Sequence, residues 1–257
     1  MTLEVAVLGL GEAGGTIASG LAAAGCAVRG WDPVAAAPGI ERADTPADAV
    51  VGAGLVLSLT TAAHAVDAAE SVAPSLGAGQ LYADLNTTAP VLKREVAAVI
   101  ARTGAAFADV ALLGPVPARG VATPALASGD GARRFAELVG PLGMPVEVVG
   151  DQPGDAAGLK LLRSVFMKGL AAAVLECIEG ARTREADEWL RREIAAVLGE
   201  PLLERLLTGT VTHAERRLAE MEAAAAYLEE LGVEPRISRA TAACLESLVA
   251  PERRRRG

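Results

Sequence analysis

A run of spaced glycines near the start of the chain could hold a phosphate group. Gly9-Leu10-Gly11-Glu12-Ala13-Gly14 reads G-x-G-x-x-G, after an apolar run (Leu3 to Leu8) and before a helix-like segment (Thr16 to Ala24). In that setting Gly9 permits a tight turn and Gly11 lets a pyrophosphate approach the backbone. Gly14 lets helix and strand pack closely. The helix start, Glu12 and Ala13 included, offers N–H donors and a partial positive charge to the phosphates. A second strand candidate ends in Trp31-Asp32, eighteen residues past Gly14. A carboxylate there can accept hydrogen bonds from an adenosine ribose and would repel a 2′-phosphate, so NAD is expected over NADP. Capping a turn ahead of Pro33 is the plainer role for Asp32. Arg29 and Arg42 are the nearest cations, and either one reaching the ribose would admit NADP.

A second group of residues could move a proton. Lys160, Arg163, Ser164, Met167 and Lys168 follow the i, i+3, i+4, i+7, i+8 spacing of one helix face. The segment around them, Ala156 to Ile178, is apolar or small almost throughout and is expected to be buried on most sides. A cationic stripe on such a helix calls for an anionic or electron-rich partner; a salt-bridged, solvent-facing stripe is the alternative. Lys160 is the candidate acid–base. Burial or the like charge of Arg163 would lower an ammonium's pKa, suiting it to take a proton from an alcohol as hydride leaves. Arg163 and Ser164 would orient the substrate, and a guanidinium there suits an acidic or phosphorylated one. His213, Arg217 and Glu220 share a face of a later helix, either as a salt-bridged surface or as a substrate wall.

These groups need a scaffold. Short apolar runs recur at Leu3 to Leu8, Cys26 to Trp31, Leu55 to Leu59, Leu81 to Asp84, Ala106 to Val110 and Val146 to Val149. They alternate with helical segments, which predicts a doubly wound parallel sheet buried on both faces. Loops at the carboxyl ends of such strands line a cofactor crevice. Thr60 and Thr61 follow one strand. Asn86 and Thr87 follow another, placed to meet a nicotinamide carboxamide or a substrate. Thr87 or Thr88 could equally cap the helix that has Pro90 in its first turn. After the turn Asp151 to Gly154, with Asp155 as a cap, only helices are expected: Ala156 to Ile178, Ala186 to Leu198, Leu202 to Leu207, Val211 to Leu231 and Ser238 to Val249. Breaks fall at Gly180, Gly199 to Pro201, Gly209 and Gly232 to Pro235. The fold class is thus α/β, with a dinucleotide-binding domain over 1–150 and an all-α domain over 151–257. Arg253 to Arg256 reads as a solubilising tail.

Composition narrows the partners. Hydrophobic residues make up 51% of the 257 and aromatics 3%, so the core is aliphatic. The scarcity of stacking side chains and a net charge of −8 argue against nucleic acid. No apolar stretch reaches the roughly 20 residues of a membrane span, and no basic leader precedes the first run, so a cytoplasmic protein is expected. Cys26, Cys177 and Cys244 lack metal-ligand spacing and read as reduced, buried thiols. With His64 and His213 the only histidines, no metal site is expected.

The motifs together resemble the β-hydroxyacid dehydrogenase superfamily, which includes 6-phosphogluconate dehydrogenase, 3-hydroxyisobutyrate dehydrogenase and the imine reductases. Its D-x-S-T-x-x-P frame is matched by Asp84 to Pro90, with Asn86 in place of the serine. Its D-A-P-V-S-G-G segment reads Asp109 to Pro115 here, and only Asp109 and Gly114 match. Leu113 stands where a serine helps hold the substrate carboxylate in hydroxyacid dehydrogenases, which argues against a simple β-hydroxyacid. The G-x-x-x-K-x-x-N-N station supplies Lys160, with Arg163 and Ser164 at the two Asn places. Lys160 to Leu170 and His213 to Met221 are similar to a 6-phosphogluconate dehydrogenase-like branch with a distinct C-terminal helical domain.

The resemblance implies a Rossmann domain and an NAD(P)-dependent oxidoreductase acting on a small molecule. Leu113, Gly114, Lys168, His213 and Arg217 are the expected substrate residues. An imine reductase is the alternative within enzymes, and a non-catalytic dinucleotide sensor the alternative outside them. The apolar stripes Leu202, Leu203, Leu206, Leu207 and Leu218, Met221, Ala225, Leu228, with the apolar helix from Ala156, predict a homodimer. Its active site would lie between one subunit's dinucleotide domain and the other's helices.

Overall fold

The apolar runs of the first half become strands because both of their faces find cover. A computed structural model of the chain describes residues 2–256, and side chains of residues 2–249. Its strands are β1 (Glu4–Leu8), β2 (Ala27–Trp31), β3 (Glu41–Arg42), β4 (Leu55–Ser58), β5 (Leu81–Asp84), β6 (Ala106–Leu112), β7 (Ala125–Ser128) and β8 (Val146–Val148). Between them run α1 (Glu12–Ala23), α2 (Pro46–Val50), α3 (Ala65–Val72), α4 (Pro90–Ala101), α5 (Val116–Arg119) and α6 (Ala132–Val139). Val5, Val7, Leu55 and Leu57 point to one side and pack with Ile17 and Leu21 of α1. Ala6, Leu8 and Val56 point to the other and pack with Val72 of α3 and Ile100 of α4. The period-2 alternation thus feeds two cores, one on each face.

The sheet order is β3-β2-β1-β4-β5-β6-β7-β8. Strand order reverses between β1 and β4, so the loops after these two strands flank one crevice. The first six strands are parallel, but β7 pairs antiparallel with β6. The expected doubly wound parallel sheet is thus present, with β7 and β8 running the other way at one edge. Only the short α5 and a 3-10 turn (Gly120–Ala122) lie between β6 and β7, too little helix for the crossover that a parallel pair usually needs.

The chain divides into two compact units, 1–160 and 161–257. The division falls ten residues beyond the sequence boundary, inside α7 (Asp155–Arg182). The first turn of α7 belongs with the sheet because Asp109 and Ser128 accept its N–H groups. Asp155, expected as the cap, is instead the first helical residue.

Beyond α7, unit 2 contains α8 (Asp187–Leu198), α9 (Glu200–Thr212), α10 (Ala214–Glu230) and α11 (Arg236–Arg256). Gly180 and Gly209 do not break helices, contrary to expectation. At Gly209 an added Cβ would stand 2.9 Å from an Arg217 nitrogen, so this glycine makes room for a side chain. His213 separates α9 from α10 instead. One core gathers Ala171, Val174, Ile178, Leu203 and Leu206; a second gathers Leu161, Met221, Ala224 and Leu245. Ala224, not Ala225, continues the Met221 stripe.

Two further expectations change. Leu159 and Phe166 of α7 are 43% and 69% exposed, so this helix is not buried on most sides within the described chain. Cys177 is exposed, and Cys26 and Cys244 are half-buried; all three are free thiols. The expected tail at Arg253 to Arg256 lies outside the residues whose side chains are described. Among the described residues no helix is long and apolar enough to cross a membrane.

Candidate active site

Gly9 ends β1 with φ +93°, a left-handed conformation that favours glycine. A Cβ on Gly9 would stand 2.4 Å from the Leu59 carbonyl, and one on Gly14 would stand 1.9 Å from the Gly9 carbonyl. Both glycines are therefore required by close backbone packing. Gly11 is different. A Cβ there would meet nothing within 4 Å, so the space beside it is open to a ligand. Gly11 is also the N-cap of α1, and no side chain caps that helix start. The loop therefore combines an open backbone approach with a positive helix end.

This loop forms one wall of a pocket of about 610 Å³, within the size range of ligand sites. Gly9, Gly11, Glu12, Ala13, Gly14, Asp32, Thr60 and Thr61 all line it. Sequence reasoning missed Trp31, Pro46, His64 and Asp67, which line it too. His64 Nδ1 lies 2.9 Å from the Thr61 hydroxyl. An open cradle at Gly11, a helix start and a pocket of this size fit a dinucleotide.

Asp32 already has partners. Its Oδ2 accepts from Leu10 N at 2.8 Å, and its Oδ1 accepts from Val34 N at 2.8 Å and Ala35 N at 2.7 Å. It thus caps the turn and pins the glycine loop together. Burial pushes its carboxyl pKa up, but the three N–H donors and Arg42 outweigh that and the net shift is down. Arg42 donates to the Asp32 carbonyl at 3.0 Å, whereas Arg29 is occupied by Glu41 at 3.0 Å.

Beyond the pocket, Thr60 Oγ1 lies 3.3 Å from Asn86 Oδ1. Asn86 Nδ2 donates to Ser58 Oγ at 3.0 Å and to Asp84 Oδ1 at 2.5 Å. Thr87 accepts a hydrogen bond from Lys160 Nζ at 3.2 Å, which brings two of the expected residues together. Neither Thr87 nor Thr88 caps α4; its N-cap is Ala89. Leu113 packs on Ala111, Leu126 and Ala156, and Gly114 follows in the same loop.

Beneath this edge lies a charged cluster that sequence reasoning missed. Asp84 and Asp109 are register partners on β5 and β6 and are fully buried. Lys93 of α4 is 1% exposed. Its Nζ lies 3.2 Å from Asp84 Oδ2 and 3.3 Å from Asp109 Oδ1.

Unit 2 holds its own polar cluster. Ser164 is buried, and its hydroxyl accepts from Lys168 Nζ at 3.0 Å. Lys168 pairs with Glu220 of α10. Burial pushes the Lys168 pKa down and Glu220 pulls it back; Arg217 and Arg216 push it down again, and the net shift is down. Arg217 donates to Thr210. Arg163 and His213 are exposed, and neither belongs to this cluster. Among the described residues no group of three or more His, Cys, Asp or Glu side chains could hold a metal ion.

Residues 4–135 match the family model for the NAD binding domain of 6-phosphogluconate dehydrogenase. Residues 181–248 match a domain of unknown function (DUF1932). A conserved hypothetical protein from Sinorhizobium meliloti is 30% identical with a TM-score of 0.81, over 96% of this chain and 88% of that one. The 3-hydroxyisobutyrate dehydrogenase of Mycobacterium tuberculosis shares the fold at 20% identity with a TM-score of 0.84, over 97% of this chain and 94% of that one. A reductive aminase from Aspergillus terreus, solved with NADPH, shares it at 21% identity with a TM-score of 0.64, over 98% of this chain and 95% of that one.

Proposed function

Because the chain belongs to the family of the NAD binding domain of 6-phosphogluconate dehydrogenase, we propose that it is a nicotinamide-dependent oxidoreductase acting on a small, anionic hydroxy or carbonyl compound. The observation that carries this reading is the open cradle at Gly11 in a pocket walled by the glycine loop, Asp32, Thr60 and Thr61. The nicotinamide would supply the hydride acceptor or donor. Lys160 would hold or release the alcohol proton at Nζ, with Thr87 fixing that nitrogen. Asn86 would help orient the dinucleotide, while Arg163 and Ser164 would orient the substrate. Leu113, Gly114, Lys168, His213 and Arg217 complete the proposed substrate residues.

NAD is the proposed cofactor over NADP. Glu12, Asp32 and Asp67 place three carboxylates on the pocket wall, against a 2′-phosphate. The chain is proposed to act in the cytoplasm, where its three free thiols stay reduced. It is proposed to act as a homodimer in which a partner's helices complete the site. The exposed Leu159 and Phe166 support an apolar contact with a second copy.

A second reading has its own support. Leu113 sits among apolar neighbours and offers no hydroxyl to a carboxylate, which favours reduction of a ketone or C=N bond in a neutral substrate. Titration of the protein with NADH and NADPH by nicotinamide fluorescence, then turnover on hydroxyacids, ketones and cyclic imines, separates the two. Tighter NADH binding with hydroxyacid turnover is expected. Equal or tighter NADPH binding would sink the NAD assignment, and tight binding without turnover of any compound would leave a dinucleotide sensor.

A further inference from the structure

Two aspartates that face each other across paired strands repel unless something stands between them. Asp84 and Asp109 are such a pair, both 0% exposed. Lys93 supplies the cation from the first turn of α4. The cluster is tied to the main chain as well as to itself. Lys93 Nζ donates to the Asp84 carbonyl at 2.7 Å. With its Oδ1 toward Lys93, Asp109 turns Oδ2 to the start of α7, where it accepts from Gly154 N and Ala157 N at 3.1 Å each. Ser128 Oγ donates to the same oxygen at 3.3 Å and accepts from Ala156 N at 3.0 Å. Lys160, which reaches Thr87, stands three residues after Ala157.

We propose that Lys93 is a positioning residue. It holds the Asp109 carboxylate in the orientation that seats the first turn of α7, and through that turn it sets Lys160 beside Thr87. Offsetting the repulsion of two buried carboxylates is only part of its work; fixing the direction of one of them is the rest. The catalytic meaning of the seat rests on the proposed proton-transfer role of Lys160, but the seat itself is testable without any reaction.

Lys93→Met removes the cation at similar volume. It also leaves two buried carboxylates without a counter-charge, so folding could fail. Lys93→Met combined with Asp84→Asn restores the formal cluster charge of one negative while still releasing Asp109. Two readouts apply: amide hydrogen exchange over residues 154–158, and the labelling rate of Lys160 by trinitrobenzenesulfonate, followed by peptide mass mapping. In the parent protein these amides should be protected. In the double variant, exchange and Lys160 labelling should both rise about tenfold or more, as expected when a hydrogen bond to a charged group is loosened. Unprotected amides in the parent protein would overturn the proposal. So would a double variant with parental exchange and labelling, which would leave Lys93 as a counter-charge alone. Failure of the catalytic reading shows elsewhere, as undiminished turnover in Lys160→Ala.

Discussion

Unit 1 and unit 2 each centre a polar cluster on a lysine, but they bury it to different depths. The Lys93 side chain is 1% exposed, between two aspartates at 0%. Lys168 is 15% exposed, against Glu220 at 19%. The first cluster is bonded to backbone groups of Asp84, Asn86, Gly154 and Ala157. The second, as described, joins side chain to side chain, through Ser164, Lys168 and Glu220. Main-chain anchoring makes a cluster part of the scaffold, because moving it means moving strands. A cluster joined only through side chains and closer to water is less firmly tied to the scaffold.

The largest effect expected is on chemistry. Lys160→Ala should lower kcat by about 10²–10⁴, the usual contribution of a positioned acid–base group. NADH affinity, measured by fluorescence titration, should barely change. A collapse in affinity with kcat preserved would make Lys160 a cofactor ligand and remove it from the reaction.

The comparison itself can be broken by stability. Breaking a buried ion pair from one side costs about 3–5 kcal/mol, whereas a pair in reach of water contributes about 0–1 kcal/mol. Lys93→Met should therefore depress the urea midpoint far more than Lys168→Met. Equal losses would show that the Lys168 cluster is as structural as the Lys93 one.

Within unit 1 the glycine loop offers a finer contrast. Gly14→Ala forces a Cβ into the Gly9 carbonyl and should cost about 1–3 kcal/mol, as overpacking does. Gly11→Ala meets open space, so Tm should hold while NADH affinity falls. A Gly11→Ala protein with parental affinity would place the dinucleotide elsewhere.

These contrasts also explain what was legible in the chain. Gly9, Gly11 and Gly14 could be read because each glycine answers a backbone demand that residue type encodes. Asp84 and Asp109 were visible as strand-end residues in a family frame. Lys93 was not, because Lys93-Arg94-Glu95 looks like any solvated helix face. The signal that could have found it is the pairing of two aspartates in register, which needs a cation. His64 and Asp67 hid in the same way, just past the Thr60-Thr61 station. The reversal at β7 was illegible because Ala125 to Ser128 carries no mark of direction. In unit 2, glycine alone misled: Gly209 accommodates Arg217 inside a helix, while His213 marks the true break.

The smallest expected effect concerns the charge on Asp32. Its carboxyl is lowered from the ordinary value near 3.9: burial opposes this, but the N–H groups of Ala35, Val34 and Leu10 and the Arg42 charge prevail. A carboxyl lowered by folding contributes stability that is complete above the unfolded pKa and is lost as pH falls through the folded one. The turn and the glycine loop should thus be held fully at neutral pH and loosen below about pH 4. Asp32→Asn keeps the size and one acceptor oxygen but has no charge to lose. The gap in Tm between the parent and Asp32→Asn should be constant from neutral pH down to about 4 and shrink below it. A gap unchanged to about pH 3 would mean that shape, not charge, holds the loop. Because Asp32 bonds to Leu10 within that loop, a loss of NADH affinity in this variant measures the fit of the phosphate cradle as well as contact with the ribose. NADPH affinity falling in parallel would assign the loss to the cradle, and a narrowed gap between the two cofactors would assign it to the ribose.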